Sequence, residues 1–179
     1  MRRTFVLICS ILAVGFVFLV ASDFFQIGRQ APDLAPTDER ATRVEVNKSA
    51  RQLNLFRGSE IIRSYKVSLG FSPTGHKAKE GDGRTPEGLY AAEFKNARSR
   101  FHLALRVSYP NAEDRKTAQG YGVSPGSDIM IHGLPNGLGW LNRLHLNHDW
   151  TDGCIAVTNS EIEDIWRLVA PGTPIEIRP

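Results

Sequence analysis

The sequence predicts a mostly β domain with one main α-helix, preceded by an N-terminal membrane segment. Three observations carry this prediction. Short segments that alternate apolar and polar residues recur along residues 43–107 and return at the C-terminus, which is the period of half-buried strands. One segment, 160–169, instead has apolar residues at helical spacing. The chain also begins with two arginines and a long uncharged apolar run.

The N-terminal apolar run starts after Arg2 and Arg3 and carries no charge as far as Ala21. Its length falls between the apolar region of a signal peptide and a bilayer span of about 20 residues. Arginines before such a run predict a cytoplasmic N-terminus and an exported body. Because only one small residue is available for cleavage, we expect residues 1–21 to be an uncleaved anchor that enters the inner membrane through residues 4–21. A cleaved signal sequence is the alternative.

The rest of the chain divides into a linker and one domain. Residues 22–41 are predicted to be a linker, because they are polar, contain Pro32 and Pro36 and show no period. Residues 42–179 are enough for one domain with a substantial core. We expect this domain on the periplasmic side of the inner membrane, either anchored there or released to the periplasm.

The charge balance argues against a nucleic-acid partner. The net charge is +3, but two of the 22 basic residues, Arg2 and Arg3, precede the apolar run, so the body is nearly neutral against 19 acidic residues. The sequence contains no run of Lys and Arg interleaved with aromatic residues, the pattern that follows a phosphate backbone. We therefore expect no nucleic-acid partner.

The predicted strands follow in chain order. Three alternating segments joined by turn residues, at 43–47, 51–56 and 61–69, predict antiparallel strands. Residues 70–88 are rich in Gly, Pro, Lys and Asp, and an irregular segment of this length in a domain is more often functional than idle. Residues 111–126 are polar, and no element is predicted there. Further strands are expected at 89–94, 101–107, 128–132, 154–157 and 173–178.

One helix is well marked near the C-terminus. Ser160 and Glu163 have the spacing of a capping box, in which the two side chains satisfy free N–H groups of the first turn. An apolar stripe at helical spacing follows, and Pro171 with Gly172 ends it. We expect the stripe to pack into the core. It consists of Ile162, Ile165, Trp166 and Val169.

The candidate catalytic residues are a cysteine and a histidine that lie far apart in the sequence. Cys154 is the one cysteine of the predicted exported domain, and structural cysteines in an oxidising compartment usually come in pairs. His132 and Cys154 each end or begin a short apolar strand beside a glycine, Gly133 or Gly153. If these strands are neighbours, the imidazole can take the thiol proton as an ion pair and activate the sulfur. The glycines would let backbone N–H donors approach an oxyanion.

Several motifs together resemble the catalytic domain of the L,D-transpeptidases, the YkuD-type family. They are Ile131-His132-Gly133, Thr151-Asp152-Gly153-Cys154 and the helix that follows. Residues 83–90, Gly-Arg-Thr-Pro-Glu-Gly-Leu-Tyr, are similar to the family's R/K-T-P-x-G-x-F/Y segment. The resemblance covers roughly residues 42–179. It implies a β-sandwich-like fold around a cleft.

The resemblance also implies an activity on peptidoglycan, without a cofactor. Cys154 would attack the carbonyl between residues three and four of a stem tetrapeptide, expel D-alanine and form a thioester, which then passes to an amine. His132 would act first as base and then as acid, oriented by the carbonyl of Gly133. Arg84 and Thr85 are expected to contact the acidic groups of the substrate, with the shaping of a turn as their alternative role.

Two positions depart from the common family pattern. Asp152 stands where a histidine usually precedes the Gly-Cys pair, and Ala156 stands where an arginine or asparagine is usual. This variant resembles a Gram-negative branch that includes a hydrolase of the bond between a lipoprotein and the wall. A wall-attached lipoprotein is therefore a second candidate partner. Asp152 is expected beside the substrate, where its charge could weaken the thiolate, and Tyr109 is expected either to donate to the oxyanion or to pack in the core.

The alternatives to a cysteine acyltransferase are of three kinds. An amidase of the same fold would cut wall crosslinks or the lipoprotein bond. A zinc hydrolase would use His145 and His148 with Asp149, Asp152 and Cys154 as ligands, although we expect no metal. A catalytically silent module would only bind the wall. The same region, residues 134–150, is predicted to form a flap over the cleft.

Overall fold

The computed structural model describes residues 30–179. Eight strands and two α-helices are found in this part of the chain, which confirms the mostly β fold. The helices are α1 (Ala112–Gly120) and α2 (Asn159–Leu168), with 3-10 turns at Thr37–Glu39 and Gly139–Asn147. The strands are β1 (Arg43–Asn47), β2 (Gln52–Arg57), β3 (Glu60–Lys66), β4 (Gly88–Ser99), β5 (His102–Val107), β6 (Met130–His132), β7 (Ile155–Ala156) and β8 (Pro174–Arg178).

The predicted membrane segment, residues 1–21, and the start of the predicted linker lie outside the described residues. In the part of the chain that is described, no helix combines the length and the apolar character that crossing a bilayer requires. The end of the predicted linker packs on the domain. Ala35 and Ala41 are buried, and their N–H groups donate to the carbonyls of Arg167 and Leu168 at the end of α2.

The eight strands form one sheet in the order β3-β2-β1-β8-β4-β5-β6-β7. β1 is parallel to β8 and β6 is parallel to β7, whereas the other neighbours are antiparallel. The register of β4 against β5 shifts twice along the pair, and such irregularities bend a strand and increase its twist. The β-sandwich-like arrangement expected from the sequence is therefore realised as one curled sheet.

The two edges of this sheet meet through the segment that follows β3. Ser68 forms an antiparallel bridge with Ala156 of β7, and Gly70 pairs with Thr151. The N–H groups of Ser68 and Ala156 donate to each other's carbonyls at 2.9 and 2.8 Å. The free edge of β7 is thereby covered, which fixes the backbone immediately after Cys154.

Helix α2 packs its apolar stripe into the core, but the predicted capping box was wrong by two residues. The N-cap is Thr158, whose hydroxyl accepts the N–H of Glu161 at 3.3 Å, while the Glu161 carboxylate accepts the N–H of Thr158 at 2.9 Å. Ser160 and Glu163 share this spacing, but the chain leaves β7 at Thr158 in an extended conformation, and that position sets the cap. The buried residues of the stripe are Ile162, Ile165, Trp166 and Val169.

Helix α1 was not predicted. Only Asp114 and Ala118 of this helix are buried, so the sequence has no apolar stripe that would indicate it. Its first turn is held by a capping box between Asn111 and Asp114. The Asn-x-x-Asp spacing is the one feature of the sequence that could have predicted the start of this helix.

A buried lysine organises the irregular segment between β3 and β4. Lys48 is 2 % exposed. Its ammonium group donates to the carbonyls of Gly75 and Thr85 at 2.6 and 2.9 Å, and to the carboxylate of Glu87 at 2.7 Å. Because a buried charge is stable only when paired and hydrogen-bonded, these three contacts tie the interior of the segment at Gly75 and its C-terminal end to the residue that follows β1.

A second ion pair shapes the middle of the same segment. The ammonium group of Lys77 donates to Asp82 at 2.9 Å, and the carboxylate also accepts the N–H groups of Ala78, Lys79 and Arg84. Burial alone would raise the pKa of Asp82, but the hydrogen bonds from Arg84, Lys77 and the other two N–H groups lower it to about 2. The carboxylate is therefore ionised at neutral pH.

Replacing Lys48 by methionine is expected to destabilise the domain by about 3 kcal/mol, because Glu87 and two carbonyls lose a buried cationic donor. Urea unfolding followed by circular dichroism measures the change. Lys66→Met is the control: Lys66 is exposed on β3, and its loss should change the free energy of unfolding by less than about 0.5 kcal/mol. Equal effects of the two changes would contradict the role of Lys48.

Candidate active site

Cys154 and His132 line one cavity of about 520 Å³, a volume typical of small-molecule sites. The cavity lies where the β4–β5 hairpin meets β6 and the segment before β7. Its lining residues are Asn96, Arg98, Ser99, Arg100, Phe101, Ala104, Asp128, Met130, His132, Trp150, Thr151, Asp152 and Cys154.

The pairing of β6 with β7 sets the relative position of the two candidates. The strands are parallel, and His132 lies opposite Ala156. Cys154 precedes Ala156 by two residues, so its side chain projects from the same face of the sheet as His132. Ala104 of β5 lies opposite His132 on the other side. The small side chains of Ala104 and Ala156 leave space for the imidazole between them.

The His132 side chain is oriented by its own neighbour. It is 3 % exposed, and its Nδ1 lies 2.6 Å from the carbonyl oxygen of Gly133. Because a carbonyl can only accept, Nδ1 carries the hydrogen and Nε2 keeps a lone pair that can take a proton. Burial lowers the pKa of His132 to about 4, although the Gly133 hydrogen bond opposes this shift. The imidazole is therefore neutral at neutral pH, as a general base must be.

Cys154 is partly exposed to the cavity. Its Sγ donates to the carbonyl oxygen of Asp128 at 3.5 Å, and among the hydrogen bonds of residues 30–179 none joins the thiol to His132. Burial raises the pKa of the Cys154 thiol to about 11, and the carboxylates of Asp152 and Asp128 act in the same direction, against a hydrogen bond from Met130. Both shifts favour a neutral thiol and a neutral imidazole over an ion pair in the resting site.

Glycines allow the chain before Cys154 to pack tightly against its support. Gly153 has φ +127°, and a Cβ there would lie 2.5 Å from the carbonyl oxygen of Arg84. A Cβ on Gly70 would lie 2.1 Å from the carbonyl oxygen of Gly83 and 2.9 Å from the Cα of Gly153. The backbone before Cys154 therefore packs directly on the backbone of the irregular segment. A side chain at Gly153 or Gly70 would push these two segments apart.

Gly133 is restricted by packing as well. A Cβ on Gly133 would lie 2.7 Å from Oδ1 of Asn159 at the start of α2. The same Oδ1 accepts the N–H of Leu134 at 2.8 Å. The sequence analysis did not single out Asn159, yet its amide ties the segment after His132 to α2.

Arg84 and Thr85 support the site but do not line its cavity, so their expected contacts with substrate stay predictions. The Thr85 side chain is fully buried, and its hydroxyl accepts the N–H of Gly70 at 3.1 Å. The guanidinium of Arg84 donates to the carbonyl of His76 at 3.4 Å, and its own carbonyl packs on Gly153. Both residues shape the loop, which was their alternative role.

Tyr109 lies in the core and does not reach the cavity. It is 1 % exposed, its hydroxyl donates to the carbonyl of Pro125 at 2.8 Å, and its ring packs edge-on against Tyr90. Burial raises the pKa of its hydroxyl. The expected contact with substrate is therefore wrong, and core packing is its role. Asp152, in contrast, lines the cavity with an exposed side chain.

Two arginines of the β4–β5 hairpin were missed by the sequence analysis. Arg98 and Arg100 are exposed and line the cavity. Seven other arginines of residues 30–179 pair with carboxylates, whereas neither of these two has an ion pair within that range. The Arg-Ser-Arg turn was visible in the sequence, but nothing local connects it with Cys154. The cavity thus has cations on the hairpin and the carboxylates of Asp128 and Asp152 beside the thiol.

Aromatic rings enclose His132. Its ring centroid lies 4.5 Å from that of Phe101 and 5.8 Å from that of Trp150. Trp150 ends the segment that was predicted to be a flap, and its indole Nε1 donates to Nδ1 of His145 at 3.3 Å. Trp140, in the same segment, is exposed. One end of the predicted flap therefore forms a wall of the cavity.

The side chains of the alternative zinc site are engaged elsewhere. Asp149 forms an ion pair with Arg51 at 2.7 Å and accepts the N–H of Leu69 at 2.9 Å. Nδ1 of His145 accepts from Trp150. Within residues 30–179, no three His, Cys, Asp or Glu side chains converge as metal ligands would. The zinc-hydrolase alternative therefore has no ligand set in the described part of the chain.

This chain is similar to L,D-transpeptidases in sequence and in fold. The family model of the L,D-transpeptidase catalytic domain matches residues 41–177. A putative L,D-transpeptidase of Escherichia coli, YafK, is 30 % identical over 132 residues, which cover 70 % of this chain and 46 % of that protein. The chain thus spans about half the length of this relative.

Among solved structures, the helical cell shape determining protein Pgp2 from Campylobacter jejuni is similar with a TM-score of 0.58 at 26 % identity, covering 87 % of this chain and 54 % of that one. An L,D-transpeptidase from Mycobacterium smegmatis shares the fold, with a TM-score of 0.50 at 16 % identity over 76 % of this chain and 58 % of its own. By the match of the family model over most of its length, the chain belongs to the family of L,D-transpeptidase catalytic domains.

Proposed function

We propose that the protein is a cysteine acyltransferase of the cell wall, in which Cys154 forms a thioester with a peptidoglycan stem tetrapeptide and passes the acyl group to an amine. One observation carries the proposal. Cys154 and His132 line the same cavity, and His132 is held there by the Gly133 carbonyl as a neutral imidazole with Nε2 available. Delivery of the same thioester to water would make the protein a hydrolase, and the product decides between the two.

The two pKa values determine when the proton must move. With the thiol pKa raised to about 11 and the imidazole pKa lowered to about 4, a free thiolate beside an imidazolium is unfavourable in the resting site. The proton therefore moves to Nε2 as the sulfur attacks, so that the negative charge develops on the substrate oxygen, where N–H donors can stabilise it.

The remaining steps return the site to its starting state. The tetrahedral intermediate collapses, the C–N bond to D-alanine breaks, and His132 gives its proton to the leaving amine. An acceptor amine then attacks the thioester and transfers a proton to His132. The C–S bond breaks, and the departing thiolate of Cys154 takes this proton from His132. No cofactor is required by this scheme, because each step moves only protons and the acyl group.

The charges of the cavity suit an acidic peptide that also carries an amine. Arg98 and Arg100 have no carboxylate partner within residues 30–179, so both are available for the carboxylates of a stem peptide, with which guanidinium groups form charge-assisted hydrogen bonds. Asp152 lines the cavity beside the thiol, where an ammonium group of the donor or acceptor would meet opposite charge. The carboxylate of Asp128, in contrast, already pairs with Arg106 at 3.6 Å.

We further propose a periplasmic location, because the substrate lies outside the inner membrane. Its support is the charge-free run that follows Arg2 and Arg3, which is expected to anchor the protein through residues 4–21. Pgp2, a relative in structure, is named as a determinant of helical cell shape, and a change of cell shape is the phenotype we would examine first. A wall-attached lipoprotein is the candidate partner of the hydrolytic alternative.

The product test uses the full-length protein with purified tetrapeptide muropeptides and mass spectrometry. We expect released D-alanine, a crosslinked dimer, and an intact-protein adduct of the tetrapeptide lacking D-alanine. Cys154→Ala should abolish all three, since the bond to sulfur cannot form. Loss of D-alanine without a dimer, or release of a lysine from lipoprotein-linked wall, would identify a hydrolase. Product formation that survives Cys154→Ala would refute the cysteine mechanism.

Alkylation of Cys154 by iodoacetamide should be slow at neutral pH and should accelerate as the pH rises beyond the ordinary thiol value of about 8.5. The Asp152 carboxylate disfavours the thiolate, so Asp152→Asn lowers the thiol pKa and should raise the rate several-fold at pH 8. Glu113→Gln, an exposed change on α1, is the control for charge removed elsewhere and should leave the rate unchanged. A slower rate in Asp152→Asn would contradict the assigned electrostatics.

Recognition of carboxylates by the hairpin can be tested with Arg98→Gln, Arg100→Gln and the double change. Each single change should lower kcat/KM for the tetrapeptide about tenfold, equivalent to about 1.4 kcal/mol, mainly through KM. Iodoacetamide, which carries no carboxylate, should react at the wild-type rate. Arg167→Gln is matched, because Arg167 is also exposed and unpaired within residues 30–179, but it does not line the cavity. If all three sites behave alike, the hairpin does not select the substrate.

A further inference from the structure

A hydrogen bond links a buried histidine that has no place in the proposed chemistry to the wall of the active site. Nε1 of Trp150 donates to Nδ1 of His145 at 3.3 Å, and the two rings meet edge-on with centroids 6.1 Å apart. Because an indole N–H can only donate, Nδ1 of His145 is the acceptor and its hydrogen is on Nε2. Trp150 therefore depends on the neutral form of His145.

His145 is itself anchored to the sheet. It is 5 % exposed, and its carbonyl accepts the hydroxyl of Ser68 at 3.0 Å. Ser68 pairs with Ala156 of β7, two residues after Cys154. The histidine that holds Trp150 is thus fixed to the same strand edge that carries the candidate nucleophile.

The other ring nitrogen of His145, Nε2, lowers the stability of the fold. Nε2 is buried and has no hydrogen-bond partner within residues 30–179, and leaving such a donor unpaired destabilises a fold. A leucine would fill similar volume without this cost. The acceptor at Nδ1 is what a leucine cannot supply, and its partner is Trp150, whose ring lies edge-on to His132 at 5.8 Å.

We propose that His145 is a positioning residue, which holds Trp150 over His132 and so keeps water from the catalytic imidazole. This inference rests on the proposed function, in which His132 is the base. It gives a role to a histidine of the predicted flap that takes no part in proton transfer itself.

The expected consequence is a change in the pH range over which His132 can act. Burial is the main cause that lowers the pKa of His132 to about 4, and Trp150 provides part of that burial. If Trp150 is released, the pKa rises toward the ordinary value of about 6.5. Between these values the wild-type imidazole is neutral and the variant imidazole is protonated, so the base is lost there. Above them both are neutral and the rates converge.

Other ionisable groups surround the pair and must be considered in any titration. Burial also lowers the pKa of His145, with Glu161 opposing and His148 reinforcing the shift. The groups that line the cavity with His132 are Cys154, Asp128, Asp152, Arg98 and Arg100. None of these cavity-lining groups is altered by the changes proposed below. His145 itself also lowers the pKa of His132, so His145→Leu and His145→Gln both remove that contribution, whereas Trp150→Phe keeps it.

The test compares His145→Leu, which removes the acceptor, with His145→Gln, whose amide oxygen can still accept from the indole. Trp150→Phe removes the donor and keeps a ring. The His132 resonance of the full-length protein is titrated by NMR, and muropeptide turnover is measured from pH 5 to pH 8. We expect His145→Leu and Trp150→Phe to raise the His132 pKa by about one unit, so that about half of the imidazole is protonated at pH 5 and turnover there falls about twofold, whereas turnover at pH 8 stays at the wild-type level. His145→Gln should resemble the wild type.

Two results would overturn the inference. In one, His145→Leu lowers thermal stability but leaves the His132 titration unchanged, which is the behaviour of a merely structural residue. In the other, His145→Leu and Trp150→Phe have additive effects in the double variant, whereas residues acting through one hydrogen bond should not be additive. If His145→Leu does not fold, His145→Gln and Trp150→Phe still carry the comparison. The NMR titration needs no substrate, so it separates failure of this inference from failure of the proposed function.

Discussion

The parallel pairing of β6 with β7 is the constraint on which the rest of the site depends. It sets His132 opposite Ala156 and leaves Cys154 two residues away on the same face of the sheet. A slip of one residue would turn the cysteine to the other face. Ser68 stabilises the pairing by bridging to Ala156 at the free edge of β7. The close contacts of Gly70 and Gly153 fix the chain before Cys154. The long irregular segment after β3 therefore serves the site through its backbone rather than through its side chains.

Burial has opposite effects on the two candidate catalytic groups, and both effects favour neutrality. The thiol pKa rises because a thiolate is poorly solvated there, and the imidazole pKa falls because an imidazolium is poorly solvated. Charge is then costly in the resting site, and in the mechanism we propose it develops only as the substrate reacts, where an enzyme gains most from preorganised donors. The rings of Phe101 and Trp150 enclose His132 and contribute to its burial. Water in contact with the imidazole would solvate its charged form and raise the pKa again.

Local patterns predicted the elements that have a strong period and missed those that do not. Alternation located the strands, and the apolar stripe located α2, but its capping box was displaced because Ser160 and Glu163 repeat the spacing of Thr158 and Glu161. Helix α1 has a polar surface all round and gave no stripe. Tyr109 was chosen by residue type, and its place in the core follows from packing that the sequence around it does not reveal.

By itself the sequence singled out Cys154 and His132, because each stands beside a glycine at the end of a short apolar segment and the combined motifs resemble the L,D-transpeptidase family. The sequence likewise determined the mostly β fold, since strand period is a local property. Only the tertiary structure decided that Arg98, Arg100 and Trp150 share a cavity with Cys154, and that both candidate groups are neutral. Sheet order joins segments that are distant along the chain, and desolvation sums over all of those neighbours, so neither can be derived from a local pattern.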